Sequence, residues 1–211
     1  MQRTIFDEEH NAFRDSVRRF MQSQVAPYAE RWRREGCVER EIWRKGGEQG
    51  LLCIWADEEF GGAGVEDFRY EQILAEENIR HGDIGLFYCL HSRIVAPYIG
   101  RFGTPEQKQR FLPGAVSGER ILAVAMTEPG AGSDLAGMRT RAEDRGDHWL
   151  LNGGKIFITN APKADTYVVF AVTTPDIGTR GISAFIVEKG WKGFEFGDHY
   201  DKMGIRSSST A

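Results

Sequence analysis

The chain has 211 residues, 41% of them hydrophobic, and a formal net charge of −4. That supplies a buried core for one large domain or two small ones, and the mixing of Arg with Asp and Glu leaves no basic stripe to follow a phosphate backbone, so nucleic acid is excluded as a partner. Three widely spaced cysteines, Cys37, Cys53 and Cys89, make neither a disulfide framework nor a metal knuckle and fit a reducing compartment. With acidic Asp7, Glu8 and Glu9 where a leader would be basic, and no stretch approaching a membrane span, the sequence reads as cytoplasmic and free of metal ligands.

Up to about Glu119 the apolar residues keep helical time. Phe13, Val17, Phe20 and Met21 fall on one face with Arg14, Arg18 and Arg19 opposite, which predicts an amphipathic helix that Pro27 breaks or kinks. A short helix over 41–48 ends at Gly50, where a left-handed residue closes it most cheaply. Phe60-Gly61-Gly62-Ala63-Gly64 is a loop by composition, and another helix spans roughly 66–80. From Ile84 to Ile99 apolar residues occur on all sides (Leu86, Phe87, Leu90, Ile94, Val95 and Tyr98), which predicts a helix surrounded by others. Thr104-Pro105-Glu106-Gln107 is a helix start with a hydroxyl cap, a first-turn proline and a capping-box glutamine.

After Gly118 the period changes. The stretches 121–126, 148–151, 155–159, 167–172 and 182–187 are short, rich in branched or aromatic residues, and separated by Gly, Asn, Asp or Pro, which predicts strands. Helices first and strands second, without alternation, argue for an α+β chain. The expected architecture is an all-α domain over 1–120 followed by an antiparallel, barrel-like β domain over 121–211, incomplete at its C-terminal end.

Two segments carry chemistry. Thr127-Glu128-Pro129-Gly130-Ala131-Gly132-Ser133-Asp134 leaves a predicted strand and turns on two glycines flanking one small residue, a turn that can aim backbone N–H groups at an anion while Thr127 and Ser133 add hydroxyls. Taken alone, it reads more readily as a Pro-Gly surface turn. It is not the dinucleotide fingerprint, because Leu135 stands where a third glycine belongs, and it lacks the lysine of a P-loop. Asn152-Gly153-Gly154-Lys155-Ile156-Phe157-Ile158-Thr159-Asn160 reads as a turn feeding a strand that presents Phe157 and, two residues on, Thr159 on one face. The same stretch also reads as an ordinary hairpin with Phe157 in the core. His91, alone on an apolar helix face, is read as a satisfied core residue.

Together these segments resemble the acyl-CoA dehydrogenase family, whose middle domain carries a T-E-P-G-x-G-S-D loop and then a W/F-I-T-N strand. The resemblance extends to the glycine loop at Phe60 to Gly64, the helix start at Gly103 to Lys108 and the closing Lys202-Met203-Gly204-Ile205-Arg206-Ser207-Ser208, and so covers essentially the whole chain. The Leu90-His91-Ser92-Arg93-Ile94-Val95 stretch leans toward the long-chain branch. Ser209 stands where an aspartate is common in the family.

The resemblance implies an FAD-dependent enzyme that converts an acyl-CoA to a trans-2-enoyl-CoA and passes electrons to an electron-transfer flavoprotein, as a homo-oligomer. It implies that Val124, Ala125, Met126, Thr127, Gly132 and Ser133 lie along FAD, with Thr127 at the ring system and Ser133 reaching the cofactor or the acyl-CoA substrate. Phe157, Ile158 and Thr159 would cover the flavin, with the Thr159 hydroxyl near the hydride-accepting nitrogen. Phe157 stands where many members carry tryptophan, so ring coverage is kept and an indole donor is lost. The family's catalytic glutamate is expected beyond Ala211, so no catalytic residue is assigned, and Glu128 and Asp134 are read as loop-shaping carboxylates. An acyl-CoA oxidase or flavin monooxygenase of the same fold, or a non-catalytic fragment, are the alternatives.

Overall fold

The computed structural model describes residues 4–211 and divides into two compact units, one running through Ile121 and taking in Asp201–Ser209, the other comprising Leu122–Tyr200 and Thr210–Ala211. In this division the closing segment Asp201–Ser209 groups with the helices.

The helical unit contains α1 (Glu8–Phe20), α2 (Ala26–Glu35), α3 (Glu41–Glu48), α4 (Phe68–His81), α5 (Ala96–Phe102) and α6 (Pro105–Ser117). Asp7 caps α1 by accepting from the His10 N–H. The predicted break at Pro27 takes a specific form: α1 runs on through a π-helical stretch, Met21–Val25, into α2, with Pro27 in its first turn. The same device recurs at Leu90–Val95, leading into α5 with Pro97 in the first turn. A proline ring clashes with the carbonyl four residues back and supplies no N–H, and widening the preceding turn relieves both.

Helix α3 stops where expected, with Gly50 at φ 66°. The apolar run from Ile84 to Ile99 is helical only from Tyr88, and Ile84 and Ile94 are exposed, so it is less enclosed than its composition predicts. His91 is buried, its Nε2 2.9 Å from the Ala115 carbonyl, a satisfied core histidine. The core is built from Met21, Trp32, Leu52, Ile73, Leu74 and Leu112. Across the packed pair α1 and α4, Glu77 is fully buried and accepts from Arg14 at 3.0 Å and from Arg18 Nε at 2.9 Å. Asp83 fastens the closing segment by accepting from the Ser207 hydroxyl and the Gly85 N–H while it pairs with Arg33 Nε at 2.8 Å. A Cβ on Gly85 would collide with the Ser207 hydroxyl, so this approach requires glycine. No helix among the described residues is long and apolar enough to cross a membrane.

The second unit is a five-stranded sheet of β1 (Leu122–Ala125), β2 (Arg141–Asp144), β3 (Trp149–Asn152), β4 (Thr166–Val172) and β5 (Ile182–Glu188). The succession of helices and then strands stands, and the sheet itself corrects two details. It is mixed rather than antiparallel and it is not closed: β4 pairs antiparallel with β5 along its whole length, but parallel with β1, from Leu122↔Thr166 to Ala125↔Val169, and with β2 at Arg141↔Val172. The long excursion between β1 and β4 is what makes a parallel return possible, since parallel neighbours need an extended crossover. The second correction concerns 155–159, which forms no strand. Phe157 has φ 59°, outside the extended region, so Phe157 and Thr159 do not alternate as strand neighbours.

Candidate functional site

The site is best built outward from Glu128, at the end of the chain that leaves β1. Its carboxylate is buried, and a buried carboxylate must be met by donors. Oε2 accepts from the Arg139 N–H at 2.7 Å, and Oε1 from the Thr140 N–H at 3.0 Å and the Lys155 ammonium at 2.8 Å. Burial pushes this carboxyl up, the donors from Lys155, Thr140 and Arg139 pull it down, and the donors prevail, leaving it at about 2. Because Arg139 and Thr140 close the loop that Glu128 opens, one side chain ties both ends together.

Within that loop, Glu128 and Ala131 exchange backbone hydrogen bonds of 3.0 and 3.1 Å, closing a tight turn around Pro129 and Gly130. Asp134 accepts from the Ala136 N–H at 3.2 Å and caps the short turn Leu135–Gly137. Both carboxylates therefore shape the loop. Gly132 and Ser133, between them, are exposed, and their N–H groups have no acceptor among the described residues. The hydroxyls of Thr127, Ser133 and Thr159 likewise make no hydrogen bond among the described residues.

The second motif is brought against the first. Lys155 is nearly buried, its ammonium 3.0 Å from the Met126 carbonyl as well as on Glu128, and the next N–H, of Ile156, donates to the Thr127 carbonyl at 2.9 Å. Burial pushes the Lys155 ammonium down and Glu128 opposes the shift. Ile158 and Ala211 exchange backbone hydrogen bonds of 2.7 and 3.3 Å. Between these anchors Phe157 turns outward, 62% exposed, with its ring 5.2 Å from that of Tyr200.

The structure thus sets Thr127 beside Ile156 and sorts the other candidates by depth. Ala125 and Ile158 are buried, and both line a cavity of about 460 Å³ inside the sheet unit, shared with Tyr167, Trp191 and Phe194. Thr127, Gly132, Ser133, Phe157 and Thr159 are not among its lining residues, and Val124, Met126 and Thr159 are half-buried. The cavity opens to the surface past Trp149, Leu150 and Trp191 and takes in Asn152 and Lys155 of the second motif, while the unspent donors lie outside it. Reading the sequence missed Lys155 and the paired N–H groups of Arg139 and Thr140. The available signal was a single lysine between two glycines and an apolar-aromatic run.

Comparison with known proteins identifies the family. Residues 7–119 match the family model for the acyl-CoA dehydrogenase N-terminal domain and residues 123–211 that for the middle domain. A mitochondrial long-chain specific acyl-CoA dehydrogenase of Rattus norvegicus is 47% identical over 211 residues, covering 99% of this chain and 49% of the relative, and a short-chain specific acyl-CoA dehydrogenase of Clostridium acetobutylicum is 42% identical over 204 residues, covering 96% and 53%. Among solved structures, an acyl-CoA dehydrogenase of Geobacillus kaustophilus superposes with a TM-score of 0.94 at 43% identity, covering 99% of this chain and 55% of that one. An acyl-CoA dehydrogenase of Bacillus anthracis, complexed with FAD, superposes with a TM-score of 0.88 at 34% identity, covering 100% and 36%. The chain spans about half the length of the curated relatives it matches, 49% of the first. It belongs to the acyl-CoA dehydrogenase family, with the family's N-terminal and middle domains in succession.

Proposed function

We propose that this chain supplies the helical and middle-sheet portions of a flavin-dependent acyl-CoA dehydrogenase, with its FAD-binding surface on the Thr127–Asp134 loop and the Phe157–Thr159 segment. The carrying observation is the donor set: a loop braced by Glu128 whose Gly132 and Ser133 N–H groups and Thr127 and Ser133 hydroxyls are unspent, beside an outward-turned aromatic ring. Unspent N–H groups in a tight turn suit a phosphate, and an exposed ring suits a planar heterocycle, so the residues present fit FAD.

When bound, FAD supplies a hydride acceptor for the β-hydrogen of an acyl-CoA thioester, and its electrons pass on to an electron-transfer flavoprotein. The chain's own residues bind and orient: Val124, Ala125 and Met126 form the wall, Thr127 and Thr159 present hydroxyls, Phe157 and Ile158 cover the ring system, and Ser133 reaches the cofactor or acyl-CoA. Glu128 is engaged by Lys155 and two backbone donors and is no general base. We assign the α-proton to a carboxylate outside residues 1–211, and read the parent protein as a homo-oligomer in a reducing, cytoplasmic setting, consistent with free Cys37, Cys53 and Cys89. Titrating the protein with FAD and following quenching of flavin fluorescence tests the reading. Saturable binding that Thr127→Ala and Thr159→Ala both weaken supports it; flavin fluorescence unmoved by the wild-type protein overturns it.

A further inference from the structure

We propose that Lys155 is a positioning residue for the flavin-facing loop: by holding the Met126 carbonyl and the Glu128 carboxylate together, its ammonium fixes where Thr127, Gly132 and Ser133 stand. The inference rests on the flavin reading for its consequence and on the geometry for its mechanism.

Lys155 Nζ reaches Met126 O at 3.0 Å and Glu128 Oε1 at 2.8 Å, with side chains only 10% and 6% exposed. Three successive carbonyls are thereby fixed: Met126 by the ammonium, Thr127 by the Ile156 N–H at 2.9 Å, and Glu128 by the Ala131 N–H at 3.1 Å. Two of these three restraints come from Lys155 and the residue after it. The Glu128 carboxylate passes the restraint onward to Arg139 and Thr140, where the loop ends. Everything between, including the unspent donors of Gly132 and Ser133, is held at its two ends.

A lysine is an unfavourable choice here on stability grounds alone. Desolvating an ammonium and a carboxylate offsets most of their attraction, and an apolar pair of equal volume commonly stabilises a fold as well. What the ion pair adds is direction. An ammonium with three donors holds a carbonyl and a carboxylate in one arrangement, whereas a thioether holds neither. Without it the Met126 carbonyl loses its donor and Glu128 is left buried with two N–H groups, so the carboxylate turns toward water and releases both loop ends.

The test uses wild type, Lys155→Met, Lys155→Arg and Glu128→Gln, each measured for FAD affinity by fluorescence quenching and for amide hydrogen exchange at Ala131, Arg139, Thr140 and Ile156 relative to β4. Lys155→Met is expected to raise exchange at these four amides roughly tenfold while β4 is unchanged, and to weaken FAD roughly tenfold. Lys155→Arg, which again offers donors to both acceptors, restores both readouts. Should Lys155→Met not fold, Glu128→Gln, which keeps shape and removes charge, shows the same pattern at smaller amplitude. Unchanged exchange at the four amides in Lys155→Met or in Glu128→Gln, or FAD affinity unaltered by Lys155→Met, overturns the assignment. A wild-type protein that binds no FAD sinks the flavin reading, and the exchange pattern still decides the role of Lys155.

Discussion

The seam between α1 and α4 and the loop beyond β1 both bury a carboxylate against a base, and they put it to different uses. Glu77 on α4 meets Arg14 and Arg18 of α1, residues far away in the chain, so its pairing is part of how two helices of the helical unit find each other. Glu128 meets Lys155 and the N–H groups of its own loop, so its pairing shapes one segment of the sheet unit. A third buried carboxylate, Glu71, sharpens the contrast. It lies on the same helix as Glu77, but neither oxygen makes a hydrogen bond among the described residues, and Arg93 stands at 3.4 Å. Burial is common to all three, and the donors decide what each contributes.

The largest expected effect follows from Glu77. Burial pushes its carboxyl up, Arg18 and Arg14 pull it down, and the arginines prevail. Glu77→Gln removes the buried charge that Arg14 and Arg18 share and should cost about 3 kcal/mol, the low end for breaking a buried pair because Arg18 is partly solvated and the arginines keep Glu76 at 2.8 Å and Asp15 at 3.3 Å. Urea unfolding checks this. A loss under about 1 kcal/mol would place the cluster among solvated surface pairs.

Glu128 makes the second prediction, with a definite sign. Its folded value of about 2 lies below the ordinary 4.5, so its contribution is fully present above 4.5 and is lost as pH falls toward about 2. Wild type should therefore lose stability between pH 5 and pH 3 more steeply than Glu128→Gln, by roughly 2 kcal/mol across that interval. Parallel acid-denaturation curves for the two proteins would remove Glu128 from the loop's support.

Glu71 runs the other way. Burial lifts its carboxyl to about 7 despite Arg93, so its protonated form is the one the fold favours, and stability falls as pH rises from 4.5 through about 7. Glu71→Gln, neutral throughout, should melt higher than wild type at pH 8 and match it near pH 4. Thermal melts at both pH values decide, and a variant destabilised at pH 8 shows that Arg93 holds the carboxylate after all.

What was legible in the sequence divides along a related line. Local signals were read correctly where a residue satisfies its own neighbours: the stop of α3 at Gly50, the start of α6 at Thr104, and the loop-shaping use of Glu128 and Asp134. Strand β2, Arg-Ala-Glu-Asp with only Ala142 buried, gave no apolar alternation and passed unseen. Residues 155–159 have strand-like composition, yet Lys155 is drawn inward by Met126 and Glu128, partners distant in sequence, and composition carries no trace of that pull. The π-helical stretches were half legible. Val25-Ala26-Pro27-Tyr28 and Val95-Ala96-Pro97-Tyr98 are the same tetrapeptide at the same place relative to each widened turn, so Pro27 signalled a disturbance whose form only the structure shows.

The smallest effect belongs to a site where water replaces any partner that is removed. Thr104 accepts from the Gln107 N–H at 3.3 Å and its own N–H donates to Gln107 Oε1 at 2.9 Å, a complete capping box on an exposed helix start with Pro105 in the first turn. Thr104→Ala removes one side of the box and should cost about 1 kcal/mol, while Thr104→Ser, which keeps the acceptor, should cost only a few tenths. Because the cap is solvated and Glu106, which the Thr104 hydroxyl pulls below the usual carboxylate range, is ionised throughout, the loss should be independent of pH between 6 and 8. A loss above about 2 kcal/mol in Thr104→Ala, or no rescue by serine, would mean that the residue supports α6 through packing rather than through its hydroxyl.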